Sequence, residues 1–337
     1  MTDSRPRRPD GPRPGREAQA TWRGRRVLVV GAGGFLGRWV ARALTREGAQ
    51  PLLTARAPER LARERDAWEI GGTIVARDLL DDGLEEWVAS CAPEVIVNCA
   101  GYGVDRDETD ASRSRRLNAD LPGRLAVAAT RLPPSDWPGV RLLHVGSALE
   151  YGSYRGVLRE DGPTESHTAY GRDKLAGTRA VAEAAVASGC PMLVVRLFTL
   201  FGAGEHATRL LPTLRRAARA RTSVQLSSGW QQRDFLPVDE VADGLLALGV
   251  AGPALGPIVN LAAGRLRTVR EFATTAAGVL GIAGPDLRFG DVEVRPDEMA
   301  PAGVAVERLH AATEWRPTGD LGAAIARMAA WSERLGE

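Results

Sequence analysis

The chain is 337 residues long, 44% apolar and 26% charged, a composition that fits a folded protein with a sizeable core and excludes a disordered or fibrous one. Lys plus Arg (44) nearly balance Asp plus Glu (42), and the resulting net charge of +2 supplies no global field for nucleic acid or an anionic membrane. No apolar run approaches the ~18 residues of a membrane span. The three cysteines, Cys91, Cys99 and Cys190, and four scattered histidines have no metal-ligand spacing, so free thiols in a cytoplasmic protein and no metal are expected.

The first 24 residues carry prolines among arginines and lack an apolar h-region, which predicts a disordered basic tail and no secretory signal. From Arg26 short apolar runs alternate with stretches of helical period. VLVV (27–30), PLLT (51–54), TIVA (73–76), EVIVN (94–98), RLLHV (141–145), MLVVRL (192–197) and PIVNLA (257–262) read as strands buried on both faces. FLGRWVARALTREG (35–48) and AYGRDKLAGTRAVAEAAVASG (169–189) read as helices that end at glycine C-caps. This alternation predicts an α/β fold with a doubly wound parallel sheet of the Rossmann type. After about residue 200 the pattern loosens. We read a nucleotide-binding core over 25–202, with 257–264 returning to the sheet, and a smaller α/β substrate lobe from 203–256 and 265–330.

VLVVGAGGFLGRWV sets Gly31, Gly34 and Gly37 between the first strand and the first helix. A tight turn, close approach of backbone to a pyrophosphate and close helix–strand packing need glycine at those three places. The helix N-terminus then offers unpaired N–H groups to phosphate. The second strand ends in LLTAR, so Arg56 stands where an acidic residue would bind the 2′-hydroxyl of NAD. A basic residue there favours NADP(H), with NAD(H) as the alternative. Arg38 and Arg60 could add charge. Asp78 and Leu79, after the third strand, are expected to meet an adenine ring.

Of the 44 basic residues, Lys174 alone is lysine, and it lies four positions after Tyr170. Side chains at i and i+4 share a helix face. An ammonium within ~4–6 Å of a phenol favours the phenolate and lowers a pKa that starts near 10, which suits the phenol to acid–base work.

With GAGGFLG (31–37), NCAGYG (98–103), GSALEYG (146–152), YGRDK (170–174), VVRLFTLFGAGE (194–205) and QQRDFLPVDEVADGL (231–245), the chain resembles the extended short-chain dehydrogenase/reductase family, in particular its nucleotide-sugar epimerases, dehydratases and 4-ketoreductases. The resemblance implies that Ser147 hydrogen-bonds the reacting oxygen, Tyr170 moves the proton, and Lys174 activates Tyr170 and holds the nicotinamide ribose. It places Phe35, Leu36 and Ala100 in the cofactor site, and gives Asn118 a mainly structural role. Arg233 and Arg295 match diphosphate-binding positions, Thr199 replaces a family Asn at the nucleotide, and Tyr102 is expected near the nicotinamide and the sugar. His206, Arg209 and Trp230 border the same expected cleft.

Two departures narrow the reaction. Ala148 and Leu149 hold the positions of the Asp–Glu pair that eliminates water in 4,6-dehydratases, so dehydration is not expected, and Glu150, one residue further on, is expected to point elsewhere. The implied activity is NADPH-dependent reduction of the C4 ketone of a nucleotide-linked 4-keto-6-deoxyhexose, with Tyr170 as the acid. An NAD-dependent 4-epimerase is the alternative, followed by a non-catalytic NADP(H)-binding regulator. By analogy a homodimer is expected through helices near 119–131 and 169–188.

Overall fold

The computed structural model describes residues 22–103, 107–251, 256–294 and 298–337. The β-branched runs form β1 (Arg26–Val30), β2 (Gln50–Ala55), β3 (Thr73–Ala76), β4 (Val95–Asn98), β5 (Leu142–Ser147), β7 (Met192–Leu197) and β11 (Ile258–Leu261), with the two-residue β6 (Val157–Leu158) between β5 and β7. Seven of them make one parallel sheet in the order β11-β7-β5-β4-β1-β2-β3, a Rossmann-like α/β architecture. The strand order reverses between β1 and β4, which opens the crevice where such sheets bind ligands.

Alternation along β1 divides its side chains between two cores. Val27 and Val29 join a cluster with Trp39, Leu44, Val241 and Leu245, from helices Phe35–Arg46 and Val238–Val250. Leu28 and Val30 join Leu121, Leu125 and Val181, from helices Leu121–Thr130 and Ala169–Ser188. Being covered on both faces is why these strands carry unbroken apolar runs. β3 departs from that expectation: as the edge strand it has no fully buried residue, and its ends are exposed.

Trp22 is 1% exposed, donates from its indole to the carbonyl of Leu246 at 3.2 Å and packs against Trp137. The folded chain therefore includes Trp22, which the sequence pattern had assigned to the tail; burial of so large a ring outweighs the polar composition around it. Residues 1–21 lie outside the described ones.

The rest of the chain adds β8 (Thr199–Phe201), β9 (Val224–Leu226), β10 (Gln232–Pro237), β12 (Leu266–Thr268), β13 (Leu287–Phe289) and β14 (Gly303–Val304). They form three small sheets, β12-β10-β8, β13-β9 and β14-β6. Phe201, Phe235 and Phe272 stack through them, with ring centroids 5.1 and 4.4 Å apart. Asp234, 1% exposed, accepts the N–H groups of Ala263 and Arg265 at 2.8 and 3.0 Å and so ties β10 to the turn after β11; burial pushes its carboxyl up to about 6. Among the described residues no helix is long and apolar enough to cross a membrane.

Candidate active site

The glycine loop follows β1. Gly31 has φ +80°, and a Cβ there would come within 2.8 Å of Ala100, so the backbone after β1 and the backbone after β4 cross at van der Waals limits. A Cβ on Gly37 would lie 2.1 Å from the carbonyl oxygen of Gly31. Gly34 is exposed, extended (φ −79°, ψ 173°) and caps helix Phe35–Arg46 with no side chain, which leaves the N–H groups of its first turn, at Phe35 and Leu36, for an anion. An uncapped helix N-terminus on a turn packed too closely for side chains at Gly31 and Gly37 fits a dinucleotide pyrophosphate. Gly37→Ala should cost about 1–3 kcal/mol through overpacking, visible as a lower denaturant midpoint even without cofactor.

Around this loop, Arg56 is exposed at the end of β2, with no hydrogen bond or ion pair among the described residues. Arg38 and Arg60 are differently placed. Arg38 is 7% exposed, pairs with Glu64 at 3.0 Å, donates to the carbonyl of Gly204 at 3.3 Å and lies 4.6 Å over Trp68. Arg60 also pairs with Glu64, at 2.9 Å. Asp78 is exposed and accepts the N–H of Leu80 at 3.0 Å, while Leu79 and Ala100 are buried beside it in the core and beside Gly31.

Ser147 ends β5, and Tyr170 and Lys174 lie on the first turns of helix Ala169–Ser188, whose N-cap Thr168 accepts the N–H of Gly171 at 3.0 Å. The structure joins the three. The Tyr170 phenol faces the Ser147 side chain closely enough to feel it. Lys174, 2% exposed, donates to the carbonyl of Val145 two residues before Ser147. Burial lowers its ammonium from the ordinary 10.5 to about 8, against the opposing pull of Glu150 and Cys99.

The electrostatics differ from the i, i+4 expectation. Burial pushes the Tyr170 phenol well up; the Ser147 side chain and Arg209 pull it down, and Glu150 and Glu108 push it further up. Desolvation therefore outweighs any help from Lys174, and the phenol is protonated at neutral pH. That is the state a proton donor needs.

Asn118 sits in a π-helical turn, Arg116–Asp120, and clamps the loop after β4: its amide donates to the carbonyl of Tyr102 at 2.6 Å and its oxygen accepts the N–H of Tyr102 at 3.2 Å. This is a structural role. The clamped loop lies against Tyr170, because a Cβ on Gly103 would sit 3.4 Å from the tyrosine ring. The Tyr102 ring itself lies under the Arg113 guanidinium at 5.3 Å, and its hydroxyl accepts the N–H of Asp110 at 3.4 Å, so the side chain is turned towards residues 110–113.

Thr199 and Arg233 meet in a second place, a cleft of about 360 Å³ between β8, β10 and residues 292–294 and 298. Arg233 is ion-paired with Glu298 and donates to the carbonyl of Gln232 at 2.7 Å. Arg295 lies outside the described residues. Arg209 lines the cleft and pairs with Glu205 at 3.3 Å, and its charge reaches Tyr170, which connects the cleft to the acid–base pair. Trp230 is 67% exposed beside Arg270.

The sequence reading missed Glu150. It is fully buried on the single 3₁₀ turn Ala148–Glu150, with its carboxylate folded back beneath Ser147. The signal was present: Ser147-Ala-Leu-Glu150 has the S-x-x-E spacing of a capping box.

With this geometry in hand, residues 27–262 match the NAD dependent epimerase/dehydratase family. The chain belongs to that family, within the extended short-chain dehydrogenases/reductases. A curated relative of the epimerase/dehydratase family, the dTDP-6-deoxy-L-talose 4-dehydrogenase (NAD(P)(+)) of Kitasatospora kifunensis, is 32% identical over 73% of this chain and 76% of its own. The dTDP-L-rhamnose 4-epimerase of Burkholderia thailandensis is 23% identical over 91% of this chain and 95% of its own. Among solved structures, a UDP-N-acetylglucosamine 4-epimerase from Methanobrevibacter ruminantium M1, in complex with UDP-N-acetylmuramic acid, has a TM-score of 0.80 at 18% identity, covering 92% of this chain and 98% of that one. That likeness shows the fold of the epimerase/dehydratase family.

Proposed function

We propose that this chain reduces the C4 ketone of a nucleoside-diphosphate 4-keto-6-deoxyhexose with NADPH. The observation that carries the reading is the placement of Ser147 at the end of β5 opposite Tyr170 and Lys174 on the helix Ala169–Ser188, with the phenol held protonated by burial, next to Ala148 and Leu149 where elimination would need acids. The dehydrogenase relative, which by name acts at C4 of a dTDP-6-deoxyhexose, supports it. Gly31, Gly34, Phe35, Leu36 and Gly37 would hold the cofactor pyrophosphate, Asp78, Leu79 and Ala100 its adenosine side, and Lys174 its nicotinamide ribose. The reduced nicotinamide supplies the hydride. Tyr170 then gives its proton to the nascent C4 alkoxide, and Ser147 hydrogen-bonds that oxygen as its charge develops. Lys174 keeps a positive charge behind the pair. The cleft at Thr199 and Arg233 takes the nucleotide, with Arg233 exchanging Glu298 for the diphosphate.

Arg56 supports NADPH, since it is a guanidinium at the end of β2 with no partner among the described residues. Arg56→Ser should raise KM for NADPH about tenfold, near 1.4 kcal/mol, and leave KM for NADH unchanged. A cytoplasmic homodimer completes the proposal, through helices whose outward Val127 and Val186 are 42% and 79% exposed.

The test is loss of reduced-nicotinamide absorbance when the purified chain meets a dTDP-4-keto-6-deoxyhexose. Stoichiometric loss with NADPH establishes the reductase. Turnover without net loss, with NAD released on denaturation, would instead establish a 4-epimerase, the activity in the name of the Burkholderia thailandensis relative.

A further inference from the structure

Glu150 and Arg196 form an ion pair in the deepest part of the site, at 0% and 2% exposure, with Nε to Oε2 at 2.7 Å. The remaining carboxylate oxygen accepts two hydrogen bonds, from the Ser147 N–H at 2.8 Å and the Thr178 hydroxyl at 2.9 Å. Ser147 ends β5, and Thr178 lies one helical turn beyond Lys174. One carboxylate thus ties together the two elements that carry the Ser147, Tyr170 and Lys174 side chains. Glycine at 146 makes room for it, because a Cβ there would fall 2.8 Å from the same oxygen. On its far side Arg196 lies 4.5 Å over the Tyr151 ring and donates to the carbonyl of Glu160 at 3.3 Å.

Such a pair is a weak source of net stability, since taking both charges out of water costs about as much as their attraction returns. Its placement points to another role. Lys174 is faced by Cys99 after β4, by His144 and the Val145 carbonyl on β5, and by Glu150. Burial pushes the Cys99 thiol up to about 12 and holds His144 well below the usual imidazole range, so both are neutral at pH 7. Among the described groups that reach Lys174, Glu150 is the anion. Tyr170 is faced by Ser147, Glu150, Glu108 and Arg209.

We propose that Glu150, locked by Arg196, is a positioning residue that fixes Ser147 at the end of β5 against the helix carrying Tyr170 and Lys174 and places the buried counter-charge for the Lys174 ammonium. The inference rests on the reading of Tyr170 and Lys174 as the working pair, and it gives that pair its bias towards donating a proton.

Because Lys174 is the chain's single lysine, ¹³C-lysine labelling of the full chain gives one side-chain signal whose pH titration reads this ammonium directly, with no substrate present. Glu150→Gln keeps an oxygen for Ser147 and Thr178 but removes the charge, and should move the Lys174 midpoint down by about one pH unit. The double variant Glu150→Gln/Arg196→Gln, which leaves no unpaired guanidinium in the core, serves if the single variant does not fold. In the double variant the midpoint should also fall, because the anion is gone. A folded variant that loses only thermal stability, with the Lys174 midpoint where it is in the wild type, overturns the proposal. A wild-type chain that reduces no ketosugar overturns the reductase reading and leaves this titration standing as the test of Glu150.

Discussion

Tyr170→Phe should lower kcat for ketosugar reduction by about 10²- to 10⁴-fold, the usual worth of a positioned proton donor, while NADPH affinity and the melting temperature stay close to wild type. The ring survives in the variant, so the packing against Gly103 and the helix persists. What is lost is one buried hydroxyl that faces Ser147. The hydride then has an acceptor whose oxygen must leave the reaction as an unprotonated alkoxide. The wild-type rate carries a matching pH signature. The Lys174 ammonium, lowered to about 8 by burial, is charged below that pH and neutral above it. Reduction should therefore decline as pH rises past about 8, since the charge that assists the donor and holds the ribose is then lost. A rate in Tyr170→Phe within a few-fold of wild type would remove Tyr170 from the chemistry.

Arg196→Ala should destabilise the fold by about 3–5 kcal/mol, the penalty for leaving one member of a buried pair without its partner. Glu150 would keep its hydrogen bonds from Ser147 and Thr178 but would face the core uncompensated. The guanidinium also packs on Tyr151, whose hydroxyl donates to Asn260 at 2.7 Å on β11, so the defect would spread to the sheet edge. Denaturant melts measure the loss. Replacement of both charges by apolar residues, Glu150→Leu with Arg196→Met, should recover most of it, because the cost of desolvating the charges disappears with them. A single variant as stable as wild type would show that water or a shifted side chain reaches Glu150.

Both predictions turn on residues of the segment GSALEYG, and they show where sequence reasoning reaches. Tyr170 and Lys174 stand out in the sequence by their one-turn spacing, whereas Ser147 is picked out only by the family resemblance. Glu150 reads from the sequence only as a residue of a strand or turn that points elsewhere. The chain makes one 3₁₀ turn there, and the carboxylate folds back on the N–H of Ser147. A capping box in so short a turn is easy to overlook, and what gives it consequence is Arg196, forty-six positions away on the neighbouring strand. Similarly, the sequence offers Arg38 as added charge beside Arg56. Helix packing instead sets Arg38 over Trp68 and against Glu64, whereas Arg56, after β2, is exposed and has no side-chain partner among the described residues.

The sequence by itself determined the elements that local physics dictates: doubly covered parallel strands from unbroken β-branched runs, the glycine turn at the first helix N-terminus, and the Tyr170–Lys174 pairing on one helix face. Only the tertiary structure decided what surrounds Tyr170 and Lys174. A pKa depends on what surrounds a group in three dimensions, and at Tyr170 burial between the clamped loop after β4, Ser147 and the charge of Glu150 overrides the effect expected from a lysine one turn away.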